Sequence, residues 1–400
     1  MQQRGIDIAI LGGGLAGGLI ALALARLRPD LRLLVIEQGA HFGGNHVWSF
    51  FASDIAPGDE WLVEPLIEAR WDGYDVRFPG HSRHLSTPYR SVTSERLDAA
   101  LRAALPAEAL MTGASVERFS QDSVTLGGET MAAGCVIDAR GASGLTGMAG
   151  GWQKFLGQIL RLDRPHGLTR PVVMDAAVEQ VDGYRFVYCL PFSETEVFVE
   201  DTYYAEDPAL HLPALRARIA AYAAAQGWSV AEVLREETGV LPVVGSGSFA
   251  AFWAECGSGG EPARAGARAA LFHPLTSYSL PDAVRFAMQI SRLPDLSGAA
   301  VAEASYARAR SHWRRGSFYR MLTRMLFGAA EPARRYKMLE RFYRLPEPLI
   351  RRFYAGQSTR ADALRILAGK PPVPVGAAMA SILRRGRPLA PLDAVPERTS

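Results

Sequence analysis

The chain has 400 residues, 48% of them hydrophobic and 21% charged, so two or three packed subdomains are expected and disorder, collagen and coiled coil are excluded. Forty-four basic residues against 41 acidic ones leave a net charge of +3, too weak a balance to point to nucleic acid. The three scattered cysteines, Cys135, Cys189 and Cys256, give neither a disulfide framework nor a CxxC metal site, so no metal is expected and a reducing, cytoplasmic compartment fits.

Taken from the N-terminus, the first feature is an uncharged run from Ile8 to Ala25, long enough for a membrane span and preceded by Arg4 as a signal peptide would be. Its clustered glycines make it a poor isolated helix, and it reads better as a buried strand, a tight turn and a buried helix. Asp7–Leu11 suits a parallel strand, and Gly12-Gly13-Gly14-Leu15-Ala16-Gly17 satisfies GxGxxG. Gly12 permits the turn, Gly14 lets backbone approach a pyrophosphate, and Gly17 lets the helix pack on the strand. The helix, from about Leu15 to Leu27, turns its first N–H groups toward the phosphates. A second strand, Arg32–Ile36, ends at Glu37, placed to accept hydrogen bonds from ribose hydroxyls. Strand, glycines, helix, strand and acid in this order mark a dinucleotide site. The polar, glycine-rich stretch from Gln38 to His46 does not restart a helix at once. With Cys135–Ala142 and Gly266–Leu280, it spreads the cofactor segments over two-thirds of the chain, which suits an extended FAD better than NAD.

Further on, Ser94–Leu105 has helical spacing with Ser94 as N-cap, and Val116–Leu126 reads as a small hairpin. Strand signals dominate from Lys154 to about Phe252, a flexible loop is expected at Gly257–Pro262, and the pattern is helical from Pro281. The expected division is 1–153 and 263–310 for a discontinuous FAD-binding domain, 154–262 for an inserted β-rich substrate domain, 311–378 for an Arg-rich helical region, and 379–400 for a disordered tail. The fold class is α/β, a Rossmann-like domain with a β-rich insertion and a C-terminal helical layer.

The clearest hairpin pairs Gly183–Phe192 with Glu196–Tyr204. Period 2 puts Tyr184, Phe186, Tyr188 and Leu190 on one face, and on the second strand sets Phe198 and Glu200 apart from Val197, Val199 and Asp201. Glu200 is then either an acid in an aromatic cleft or an exposed, salt-bridged residue at a strand end, because the period does not say which face is buried. His46, His166 and His273 are each either structural or in contact with a ligand. The stretch 272–281 is either a loop leading to a helix cap or a cofactor contact. From Ser311 to Lys370, fourteen basic residues and four acids leave about +10. Phe318, Met321, Leu322, Met325 and Leu326 share one helical face, with Arg320 and Arg324 on another. This pattern reads as a solvated basic layer or as a membrane-surface helix.

GGNHVWSF (Gly43–Phe50), DGYRFVYCLPF with VEDTYY (Asp182–Tyr204), GVLPV (Gly239–Val243) and FHPLTSYSLPDAV (Phe272–Val284) together resemble the bacterial lycopene β-cyclase family, in family order from about Asp7 to Ala378. The resemblance implies a flavoprotein-monooxygenase-like fold holding FAD, active in its reduced form with NAD(P)H as electron source. It implies closure of the ends of lycopene and other linear-ended carotenoids to β-ionone rings, through γ-carotene to β-carotene, without net redox change. The family acid maps onto Glu200, and an aromatic substrate pocket onto Tyr184, Phe186, Tyr188 and Phe198. Cofactor contacts map onto Gly12, Gly14, Leu15, Ala16, Gly17, Glu37, Asn45, His46, Ser279 and Leu280. A membrane-dissolved substrate implies peripheral attachment to the membrane surface. An isoprenoid hydroxylase or reductase on the same fold, and a non-catalytic carotenoid carrier, are the competing readings. Ser277 stands where the family usually has Gly, so its backbone is expected to avoid a glycine-only conformation, and Ala269-Ala270-Leu271 lacks the Gly expected there.

Overall fold

A computed structural model describes residues 5–389 apart from 143–144, 182, 255–260, 370–372 and 385. Cys256, most of the loop expected at Gly257–Pro262, Lys370 and residues 390–400 of the expected tail therefore lie outside the described residues.

The N-terminal unit forms as its sequence dictates. Ile6–Leu11 lies between Leu33–Ile36 and Glu129–Asp138, parallel to both, in a seven-stranded sheet. The helix Leu15–Leu27 packs its small and aliphatic side chains between this sheet and the later helix Leu280–Ser291. Arg118–Phe119 and Ser123–Leu126 form the expected hairpin, which extends onto Glu129–Asp138. The helix at Ser94–Ala104 is capped by Thr93, one residue earlier than expected: the Thr93 hydroxyl accepts from the Arg96 N–H, while the Ser94 hydroxyl serves the His46 backbone.

The β-rich part is an eight-stranded sheet that reaches beyond 154–262. Its strands run in the order Val230–Gly247, Met148–Leu162, Glu196–Ala205, Tyr184–Pro191, Val172–Asp175, Tyr74–Phe78 and His81–Leu85, with Arg387–Pro388 also on Met148–Leu162. Tyr74–Phe78 joins through parallel pairing with Val172–Asp175, about a hundred residues away, which local alternation does not reveal. Both faces are covered. The face carrying Tyr184, Phe186, Leu190, Phe198 and Tyr204 packs against the C-terminal helices through Tyr343, Phe353 and Tyr354. The opposite face, with Val187, Val197 and Val199, packs on the helix Leu212–Ala225. Burial of each such side chain is worth about 1.5–3 kcal/mol, so both layers hold the hairpin in register.

In the helical region, Arg320 and Arg324 do not form the outward polar face. Arg320 is buried, stacked over the Trp313 ring at 4.0 Å and donating to the Trp313 carbonyl at 2.6 Å. Arg324 donates to the Gly245 carbonyl at 2.6 Å, so this side of the helix Ser317–Gly328 faces the sheet. Stacking and carbonyl acceptors let guanidinium groups serve as interior contacts, which charge counting misses. Part of the expected tail is structured: the helix Val375–Leu383 packs on Ser317–Gly328, and Arg387–Pro388 pairs into the sheet.

Candidate active site

Two adjoining cavities lie where the sheets meet, and His46, Trp48, Ala267 and Ser279 line both. The first, about 380 Å³, runs along Gly12, Gly14, Leu15 and Ala16 to Glu37. Gly12 turns with φ +93°, and a side chain there would meet the Ala139 carbonyl. Gly14 faces open space, with nothing within 4 Å of where a side chain would begin. A Cβ on Gly17 would lie 2.0 Å from the Gly12 carbonyl oxygen, so this glycine lets helix and strand close up rather than lining the cleft. Glu37 accepts from the Gly13 and Gly39 N–H groups, each at 2.8 Å, which fixes its carboxylate at the rim.

Two more expected contacts, besides Gly17, lie elsewhere. Asn45 does not line the cleft: it donates to the Glu236 carbonyl at 2.6 Å and accepts from Arg235 at 2.7 Å, tying its loop to the strand Val230–Gly247. Leu280 lines the second cavity rather than the first. The helix Leu280–Ser291 begins between the two, with Pro281 in its first turn and no side chain capping its first N–H groups.

The second cavity, about 210 Å³, is walled by aromatic groups including Tyr89, Tyr188 and Phe198, and contains Glu200. Strand register explains the grouping. Tyr188 pairs with Glu200 and Leu190 with Phe198, and directly paired residues share a face. Tyr184 and Phe186 are on that face too, but deeper in the core and not in the cavity wall: the Tyr184 hydroxyl donates to the Met174 sulfur. Glu200 is not an exposed, salt-bridged strand end. It is 8% exposed, makes no ion pair among the described residues, and accepts from the Thr202 hydroxyl. Burial pushes its pKa up to about 7, partly opposed by the Thr202 hydrogen bond and helped by the charge of Asp201. Asp201, one residue on, points to the other face and is held mid-strand, with the Arg185 guanidinium at 2.6–3.0 Å and both groups buried. Adjacent acids thus have opposite fates: one paired with a guanidinium, the other in an aromatic cavity without a paired cation among the described residues.

Of the histidines, only His46 reaches either of these cavities. His166 bonds the Ser193 carbonyl, and His273 accepts from the Leu275 and Thr276 N–H groups inside the turn before Leu280. Two residues in this region carry the expected departures from glycine. Ser277 has φ +57° and Ala270 φ +53°, so both adopt the left-handed conformation, which favours glycine but admits other residues at a cost. For Ser277 a hydrogen bond from its hydroxyl to the Pro242 carbonyl, 2.8 Å, offsets a cost of about 1–2 kcal/mol.

A buried carboxyl in an aromatic cavity beside a glycine-cradled cleft is the setting the motifs anticipate, and the comparison with known proteins agrees. The family described as lycopene cyclase protein matches residues 7–380. The chain belongs to this enzyme family. It is 47% identical over 378 residues to the lycopene beta-cyclase of Pseudescherichia vulneris, covering 94% of this chain and 97% of that one. It is 43% identical to the lycopene beta-cyclase of Pantoea ananas, covering 96% and 100%. The fold is that of FAD-dependent monooxygenase-like flavoproteins. The p-nitrophenol 4-monooxygenase of Pseudomonas putida, for example, superimposes with a TM-score of 0.58 at 15% identity over 89% of this chain and 99% of the other.

Sequence reading passed over Glu237, which lines the same cavity as Glu200. The available signal was alternation back from Leu241 through Gly239, since Leu241 is also in the cavity wall.

Proposed function

We propose that the chain is a lycopene β-cyclase in which Glu200 is the proton donor and the glycine-lined cleft holds FAD. The observation that carries this reading is the burial of Glu200 among aromatic groups with no cation paired to it among the described residues. An alkene is a very weak base, so its donor must stay protonated near neutral pH, and burial without a cation nearby keeps a carboxyl in that form. Glu200 gives its proton to C2 of the terminal C1=C2 double bond. The C5=C6 electrons then close the C1–C6 bond, leaving a cation at C5, and loss of the C6 proton gives the β-ring. No atoms are gained or lost, so the reaction is an isomerisation. Tyr89, Tyr188 and Phe198 exclude water that would capture the cation, and present ring faces that attract it.

The residues of the first cavity fit FAD. The open space at Gly14 gives room for a pyrophosphate, Glu37 is held at the rim for ribose hydroxyls, and the helix that starts at Leu280 without a side-chain cap follows Ser279, which lines both cavities. Bound there in its reduced form, with NAD(P)H as the source of electrons, the flavin supplies negative charge that favours the cation. Ser279 and Leu280 would position its ring end, and Gly12 and Gly14 its phosphates.

Membrane attachment is part of the same reading, because the substrate dissolves in lipid. Among the described residues no helix is long and apolar enough to cross a membrane. The last helices nevertheless expose Leu364, Leu367, Met379 and Leu383, with Arg360 and Arg365 exposed close in sequence to the first two, a mixture suited to the surface of an anionic bilayer.

Carotenoid products in a lycopene-accumulating host test the assignment. β-Carotene is expected to form, with γ-carotene as the one-ring intermediate. Hydroxylated or reduced linear products, with stoichiometric use of O2 or NAD(P)H, would overturn it.

A further inference from the structure

The cavity holds a second carboxyl that the donor role of Glu200 leaves unused. On the sheet, Gly157 pairs with Glu200 on one side and with Glu237 on the other. The three residues therefore lie abreast on one face, and the two glutamates start about 9–10 Å apart, two strand spacings. Gly157 keeps the space between them free of its own side chain. A Cβ there would meet the Phe198 ring at 2.4 Å and Glu237 Cγ at 3.3 Å. Both carboxyls line the same cavity, and Glu237 is 3% exposed.

Their surroundings differ in the sense that acid–base work requires. Glu237 Oε2 accepts the Val47 N–H at 2.7 Å and lies 3.7 Å from the Arg235 guanidinium, both of which favour the ionised form. Glu200 has a hydroxyl partner and no cation. Burial raises both carboxyls, Glu237 well above the usual carboxylate range, where the charge of Glu200 adds to the rise and Arg235 and the Val47 N–H oppose it. While Glu200 keeps its proton that repulsion is absent, and of the two carboxyls only Glu237 has a cation and a backbone N–H beside it to hold a negative charge.

We propose that Glu237 is the base that removes the C6 proton and so directs ring closure to the β product. This rests on the reading of Glu200 as donor. The step balances within the cavity. Glu200 loses a proton to C2, the C1–C6 bond forms, the C6–H bond breaks, its electrons make the C5=C6 double bond, and the proton ends on Glu237. The pair keeps one proton throughout, and its return to Glu200 resets the site. A cation at C5 can instead lose a proton from C4, giving an ε-ring, or from its methyl group, giving an exocyclic double bond. Placement of the base therefore sets the ring type.

Glu237→Gln tests this, since glutamine still accepts the Val47 N–H but cannot take a proton. Ring types and the rate with lycopene deuterated at C6 are measured for wild type and variant, with bound flavin recorded. A rate at least about tenfold lower, a larger isotope effect and the appearance of rings with a displaced double bond are expected. Pure β-rings with an unchanged isotope effect would overturn the role, whatever the rate. If the variant makes no product, Glu237→Asp, which restores a carboxylate, must recover β-rings, and its failure to do so with flavin bound also overturns the role. Glu200→Gln run in parallel separates the two claims: normal turnover there would remove the donor assignment, whereas a normal Glu237→Gln alongside an inactive Glu200→Gln would remove only the base.

Discussion

Glu200 and Asp201 show how one residue of register decides between acid and anchor. With its pKa at about 7, Glu200 is expected to hold its proton below that pH, so turnover should fall as pH rises through about 7 while flavin stays bound. Stability should follow the same sign. Below about 4.5 the carboxyl is protonated folded or unfolded; between there and about 7 only the unfolded chain ionises, so this group's contribution is lost across that window. A pH–rate profile that is flat from 5 to 9 would contradict the burial argument. Asp201→Asn should act on stability instead. It leaves Arg185 buried without its counter-charge, a loss of about 3 kcal/mol in chemical denaturation, with a milder effect on the activity of the folded, flavin-bound fraction. Alternation alone separated these two side chains. The burial that gives them opposite chemistry comes from distant segments, the helix Leu212–Ala225 over the Asp201 face and the stretches 46–49 and 272–280 around Glu200, which the strand's own sequence cannot show. Ser277 and Ala270 illustrate the converse. The sequence marks them as places where glycine is missing, yet the backbone keeps the left-handed shape and, at Ser277, compensates with a hydrogen bond to Pro242.

Among the elements, the strand–glycine–helix–strand unit was the most legible, because every determinant lies within 32 residues of sequence, from Ile6 to Glu37. Its sharpest test is Gly14→Val. The position is open to the cleft, so the valine should fit the folded protein yet occupy the path of the pyrophosphate, and FAD should be lost from the purified protein without loss of helix content. Retained affinity would move the phosphates elsewhere. The eight-stranded sheet was legible only in part. The hairpin at 184–205 announces itself by alternation and a tight turn, but Tyr74–Phe78 enters by a long-range parallel pairing that carries no local signal. Glu237 was missed for a related reason: its partner across Gly157 is set by sheet order, not by sequence distance.

At the scale of the molecule, the sheet junction brings the glycine-lined cleft and the cavity with Glu200 together, while the helical layer closes the aromatic face. Composition gave the excess of about +10 between 311 and 370 but not its distribution. Arg320 and Arg335 are interior, Arg352 is paired with Asp362, and Arg314, Arg315, Arg351, Arg360 and Arg365 remain outside. If these and the exposed leucines hold the enzyme on a bilayer, co-sedimentation with anionic liposomes should weaken with salt, since exposed charges are screened within roughly 8–10 Å near physiological ionic strength. Leu364→Asp with Leu383→Asp should weaken it further. Attachment indifferent to salt, lipid charge and both substitutions would contradict this surface.

The measurement that bears most directly on the whole account is lycopene conversion by Glu200→Gln, with FAD content determined in the same preparation. Glutamine keeps the size and polarity of the side chain and removes only the transferable proton. Normal flavin content with conversion reduced at least about a hundredfold is the result the structure leads us to expect; near wild-type conversion with flavin bound would place the acid elsewhere.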